Sequence, residues 1–203
     1  MRLLRFNLLM LTVLVLHAPS ALADPITFTH QGMGSGSIAG TPFARTSFTI
    51  TAVGNTSNRQ SFGSGFSIDH DSAMISITGV GTFIFTSGTR TFVNNDAQIV
   101  GFSRASTGGL DLFDGPNNTV FAAWDMFSSI GPVADGGTLS QWGAPRPPVL
   151  TNGGQLLFTD GLSPIIFTAI VGQPAEIPEP TSLTLLGLSI GGAAIANRFR
   201  RRK

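Results

Sequence analysis

Beyond the first 23 residues the chain has only two histidines, His30 and His70. His70 lies between two carboxylates in Asp69-His70-Asp71, with Ser67 close by. Serine, histidine and aspartate are the parts of a hydrolase: a hydroxyl that attacks, an imidazole that takes its proton, and a carboxylate that orients the ring. In extended backbone, however, successive side chains point to opposite faces. Asp69 and Asp71 would share one face and His70 the other, so the three do not converge. The stretch is expected as a solvated loop ahead of a strand at Met74.

Asp111-Leu112-Phe113-Asp114-Gly115-Pro116-Asn117-Asn118 offers hard oxygen ligands of the kind calcium prefers. Its spacing fits neither an EF-hand nor a nonapeptide repeat, and turn formation by Asp and Asn accounts for it without a metal. Cysteine is absent, which excludes disulfides, thiol nucleophiles and Cys-ligated zinc. Trp124, Phe127 and Trp142 could stack on sugar rings. Trp124, in "VFAAWDMF", reads as part of a core strand, which leaves Trp142, in the Pro-rich "SQWGAPRPP", as the better sugar-binding candidate. There is no phosphate-binding glycine loop, and Gly63-Ser64-Gly65 falls short of a nucleophile elbow. No catalytic residue, no metal and no cofactor is expected.

The elements that would position these residues are strands. Ile26-Thr27-Phe28-Thr29, Phe48-Thr49-Ile50-Thr51, Met74–Thr78, Phe83–Thr86, Thr91–Val93, Ile99–Phe102, Thr119–Trp124, Gln155–Thr159 and Ile165–Ala169 alternate or run apolar, and Gly, Asn, Asp and Pro clusters divide them. No window sustains a helical period. The reading is an all-β domain over residues 24–172, a β-sandwich or jelly roll of roughly ten short strands. With 25 Gly, 16 Phe and few charges, the composition suits an exported domain with many turns.

Charge is unevenly placed. Between Asp24 and Glu176 there are five arginines and no lysine against ten carboxylates, a net of −5, although the whole chain is formally +1. A lysine-free acidic domain lacks the clustered cations that nucleic acid requires, so no nucleic-acid partner is expected.

The basic residues gather at the ends. Residues 1–23 read as a signal peptide: Arg2 and Arg5, an apolar run from Leu8 to Leu16, Pro19, and small residues Ala21 and Ala23 ahead of a cut before Asp24. Signal peptidase and the export machinery are the partners this implies. At the other end, residues 173–180 form a Pro-rich stalk. Residues 181–197 carry no charge and sit near the lower limit, about 17 residues, for a transmembrane helix. Residues 198–203 hold Arg198, Arg200, Arg201, Arg202 and Lys203, which by the positive-inside rule stay in the cytoplasm and leave the domain outside.

Ile177-Pro178-Glu179-Pro180, the short Gly-rich apolar segment and the terminal Arg cluster together resemble the PEP-CTERM sorting signal, with Ile where Val is more usual. "GSGSIAGTPFARTSFTITAVGNT", "ITGVGTFIFTSGTRTFVNN" and "GGQLLFTDGLSPIIFTA" are similar to phrases in PEP-CTERM surface proteins. The resemblance implies a membrane-embedded exosortase that cleaves at or near Ile177–Pro180. It also implies a Gram-negative bacterium that makes exopolysaccharide, and a destination at the envelope surface or in the extracellular matrix. The physics agrees: two prolines withhold two backbone donors and keep the tetrapeptide extended, in a form a protease-type site can grip. The leading expectation is a non-enzymatic surface or matrix protein. The alternatives are a carbohydrate-binding module for exopolysaccharide and a surface hydrolase.

Overall fold

The structure, a computed structural model, describes residues 24–105, 111–136, 138–139 and 149–172. The expected signal peptide, stalk, membrane helix and basic tail therefore lie outside the described residues, as does Trp142. Among the described residues no helix is long and apolar enough to cross a membrane.

Eleven strands follow one another: β1 (Pro25–Ile38), β2 (Thr41–Phe62), β3 (Gly65–Ile77), β4 (Gly81–Ile84), β5 (Thr89–Asn94), β6 (Ile99–Arg104), β7 (Asp111–Asn117), β8 (Ile130–Asp135), β9 (Thr138–Leu139), β10 (Val149–Thr151) and β11 (Gly154–Val171). They form one antiparallel sheet in the order β10-β11-β1-β2-β3-β5-β6-β7-β9, with β4 on β3 and β8 on β11. The all-β class stands. In place of two separate sheets, a single sheet curls around its core. β1, β2 and β11, of 14, 22 and 18 residues, are long enough to serve both halves. Register shifts bend them: in β1 at Gln31/Met33 and Ser35/Gly36, and in β2 after Val53. At the second of these in β1, a Cβ on Gly36 would lie 1.9 Å from the Leu157 carbonyl oxygen, so only glycine lets β1 approach β11 this closely.

The curl is stitched at two places. Phe85, just past β4, bridges Thr151 of β10, flanked by Thr86 N–H to the Leu150 carbonyl and Asn152 N–H to the Ile84 carbonyl, both 2.9 Å. Below, Asn117 at the end of β7 donates to the Gly136 carbonyl just past β8, at 3.3 Å. The first and last strands pair, Ile26 opposite Val171, and Gly172 N–H donates to the Pro25 carbonyl at 2.8 Å.

The inside is filled by phenylalanine. Phe28, Phe102, Phe113, Phe121 and Phe167 are fully buried. Phe48 of β2 meets Phe113 of β7 at 6.4 Å between ring centroids, a contact across the curl between strands far apart in the sheet order.

Four local expectations change. Asp69-His70-Asp71 is not a loop but part of β3, which runs unbroken from Gly65. Asp111–Asn117 is strand β7 rather than a turn. Thr119–Ala123 is a 3-10 helix, not a strand: the Asn118 side chain accepts the Val120 N–H and turns the chain, and Phe121 alone is buried from that turn. The two runs at Gln155–Thr159 and Ile165–Ala169 merge in β11.

Candidate functional site

β5 carries chemistry on both faces. Its sequence, Thr89-Arg90-Thr91-Phe92-Val93-Asn94, alternates strictly between buried and half-buried. Thr89, Thr91 and Val93 point inward; Arg90, Phe92 and Asn94 point outward.

Inward, Thr91 Oγ1 lies 3.3 Å from His30 Nε2 and 3.0 Å from His70 Nε2, and Thr89 Oγ1 lies 2.9 Å from His70 Nδ1. Phe102, Phe113 and Phe167 surround His30, with ring centroids 5.8, 4.9 and 4.8 Å away. Phe28 and Phe102 flank His70. Burial depresses both imidazoles: His30 to about 3, and His70 well below its usual range, with the neighbouring His30 charge as a lesser cause. Both rings are therefore neutral at ordinary pH. One proton arrangement leaves no ring N–H without an acceptor: His30 Nε2–H donates to Thr91, the Thr91 hydroxyl to His70 Nε2, and His70 Nδ1–H to Thr89. Only His30 Nδ1, then a bare acceptor, has no partner among the described residues. An unfilled acceptor is more easily tolerated than a buried N–H.

Ser67 and Asp69 are on the outer face, in register with Phe92 and Arg90, while His70 faces inward. The structure does not bring a Ser-His-Asp set together. Trp124 is buried and donates Nε1–H to the Ser128 carbonyl at 2.8 Å. Phe127 is exposed, yet its ring covers the Arg59 guanidinium at 4.0 Å; Phe66 covers the other side at 4.1 Å, and Arg59 donates to the Asp125 carbonyl. Among the described residues no group of three or more His, Asp or Glu could hold a metal ion.

The outer face carries a cleft of about 380 Å³. Arg90, Phe92 and Asn94 of β5 form its middle, Ser67 of β3 and Gln60, Ser61 and Phe62 of β2 one flank, and Asp111 of β7 the other. Three details shape it. The extra residues Asn55–Asn58 leave Gly54 opposite His70 but Arg59 opposite Ile68, which redirects the end of β2 along the start of β3. Asn55 Oδ1 holds that excursion by accepting from Ser57 N–H at 2.8 Å, and Thr56 N–H donates to the Asp24 carbonyl at 3.0 Å. On the other flank Gly101 faces Phe92, and a Cβ there would lie 2.4 Å from the Phe92 ring, so the ring lies flat across the glycine. Finally, Arg90 Nε–H donates to Ser103 Oγ at 2.9 Å, which fixes the guanidinium.

Acidic groups border the cation. Asp69 is in register with Arg90, Ser103 with Asp111, and Asp114 with Gly101. Burial raises the Asp114 pKa, while a hydrogen bond with Asp111 pulls it the other way. Of the cleft only Asp111 and Ser67 were candidates for chemistry in the sequence. Gln60, Ser61, Phe62, Arg90, Phe92 and Asn94 were not, although Phe92 lies in the expected strand Thr91–Val93 and the period-two alternation of "TRTFVN" already sets Arg, Phe and Asn on one face.

A family model for the PEP-CTERM protein-sorting motif matches residues 176–203. The match covers Ile177–Pro180, the apolar segment and Arg198–Lys203, and it marks the chain for export and for exosortase processing at the membrane. No curated protein and no solved structure matches the chain.

Proposed function

We propose that this chain, which ends in a PEP-CTERM sorting motif, is a non-enzymatic protein of the cell surface or extracellular matrix, associated with exopolysaccharide. In this reading residues 1–23 direct export and are removed, residues 181–197 hold the chain in the membrane, and the exosortase acts near Ile177–Pro180. The surface is that of a Gram-negative envelope. The observation that carries the reading is the sorting motif at residues 176–203. The lysine-free, −5 domain, with few charges and many Gly and Phe, supports a life outside the cell. The separation of Ser67 and Asp69 from His70 across β3 supports a role without catalysis.

Intact-mass measurement of the mature protein recovered from the envelope tests it. The expected species starts at Asp24 and ends near Glu179. A species that retains Arg198–Lys203 would make the closing segment a permanent anchor and overturn the sorting role.

A further inference from the structure

We propose that the outer-face cleft over β5 binds a neutral hexose polymer. This names the chemistry of the exopolysaccharide partner and rests on the preceding reading only in needing a polysaccharide at the surface, since the cleft exists whether or not the C-terminal segment is cleaved.

The lining suits vicinal hydroxyls. Phe62, 42% exposed, and Phe92 supply flat apolar faces for the C–H side of a pyranose. Gln60 offers a planar amide with both donor and acceptor. Asn94 accepts from Ala97 N–H at 3.0 Å through its oxygen, which leaves its NH2 to donate. Arg90 is fixed by Ser103, so a fork of donors is held in one plane beside the Asp111 acceptor. A volume of about 380 Å³ lies in the lower part of the range for small-ligand sites, roughly 300–1,000 Å³, and suits a short run of sugar units.

Other occupants fit less well. A peptide that adds a strand needs an unpaired sheet edge, whereas β3 and β5 are interior strands with their ladders filled. A polyanion would meet a single arginine bordered by Asp69, Asp111 and Asp114, on a domain of net −5. The same charges separate a neutral polymer from a polyuronate.

The test is affinity electrophoresis of the full-length protein in detergent, through gels containing hydroxyethylcellulose, dextran, galactomannan or alginate. At least one of the three neutral polymers is expected to retard it, and alginate to retard it less. Phe62→Ala and Gln60→Ala should each weaken retardation, the first at least ten-fold. Both side chains are exposed and have no hydrogen bond among the described residues, so neither variant is expected to unfold. Thr49→Ala, on the outer face of β2 beside Ser76, should leave retardation unchanged. Passage through all three neutral gels, stronger retention by alginate, or retention unaltered by Phe62→Ala would each overturn the assignment. None of these outcomes would alter the mass-spectrometric test of C-terminal processing.

Discussion

The two faces of β5 carry the most chemistry-bearing groups in the described domain, and they are put to opposite uses. Inside, two imidazoles and two hydroxyls, all capable of catalysis elsewhere, hydrogen-bond one another in a cage of phenylalanine rings. Outside, one arginine, two phenylalanines, two amides and a carboxylate line a cleft that solvent reaches. Residue type alone would have ranked the inner set first. What decides is commitment: both ring nitrogens of the half-buried His70 are already bonded to Thr89 and Thr91, whereas Arg90, held by Ser103 through Nε, turns the rest of its donor plane to the cleft.

Acid should break the inner face most severely. The folded chain keeps His30 neutral down to about pH 3, while the unfolded chain takes up a proton near the ordinary 6.5. The unfolded state therefore binds more protons between those values, so the stabilisation is complete above pH 6.5 and is lost as pH falls towards 3. His30 contributes a slope of about 1.4 kcal/mol per pH unit in that window, roughly 5 kcal/mol in all. Urea unfolding at several pH values should show this slope, and His30→Leu should flatten it relative to the parent protein.

Phe167→Ala comes next. Phe167 touches His30, Phe28, Phe121 and Trp124, and its removal should cost about 3–5 kcal/mol, read as a lower denaturation midpoint. The smallest stability effect belongs outside: Phe62→Ala should shift stability by no more than about 0.5 kcal/mol, seen as an unchanged midpoint in the same titration. A large loss there would make Phe62 part of the packing and blur the contrast between the two faces.

The strand content was legible because Thr alternates with Ile or Phe in "ITFT" and "FTIT"; β1 keeps an inside-outside alternation on either side of its bulge, and β2 keeps it from Phe48 to Thr56. The curl was not legible, because it depends on bulges whose positions are set by partners far away in sequence, such as Gly36 against Leu157. Thr119–Ala123 misled for a local reason: its apolar residues suit a strand, but one Asn118 side chain is enough to start a turn. The cleft was half legible. Period two groups Arg90, Phe92 and Asn94, yet Gln60 and Phe62 join them only through a register that the Asn55–Asn58 excursion resets.

The pairing of the first and last strands decides which end of the domain the cleft occupies. Pro25 and Gly172 lie together at one end of the curled sheet, and the turn at Ala39–Gly40 marks the other. Ile26 is level with Gly54, Gly54 with His70, and the neighbouring Asp69 with Arg90, so the cleft belongs to the end that holds Pro25 and Gly172. The cleft and the two ends of the described domain therefore share one side of the sheet, and the Ala39–Gly40 hairpin lies at the end farthest from both.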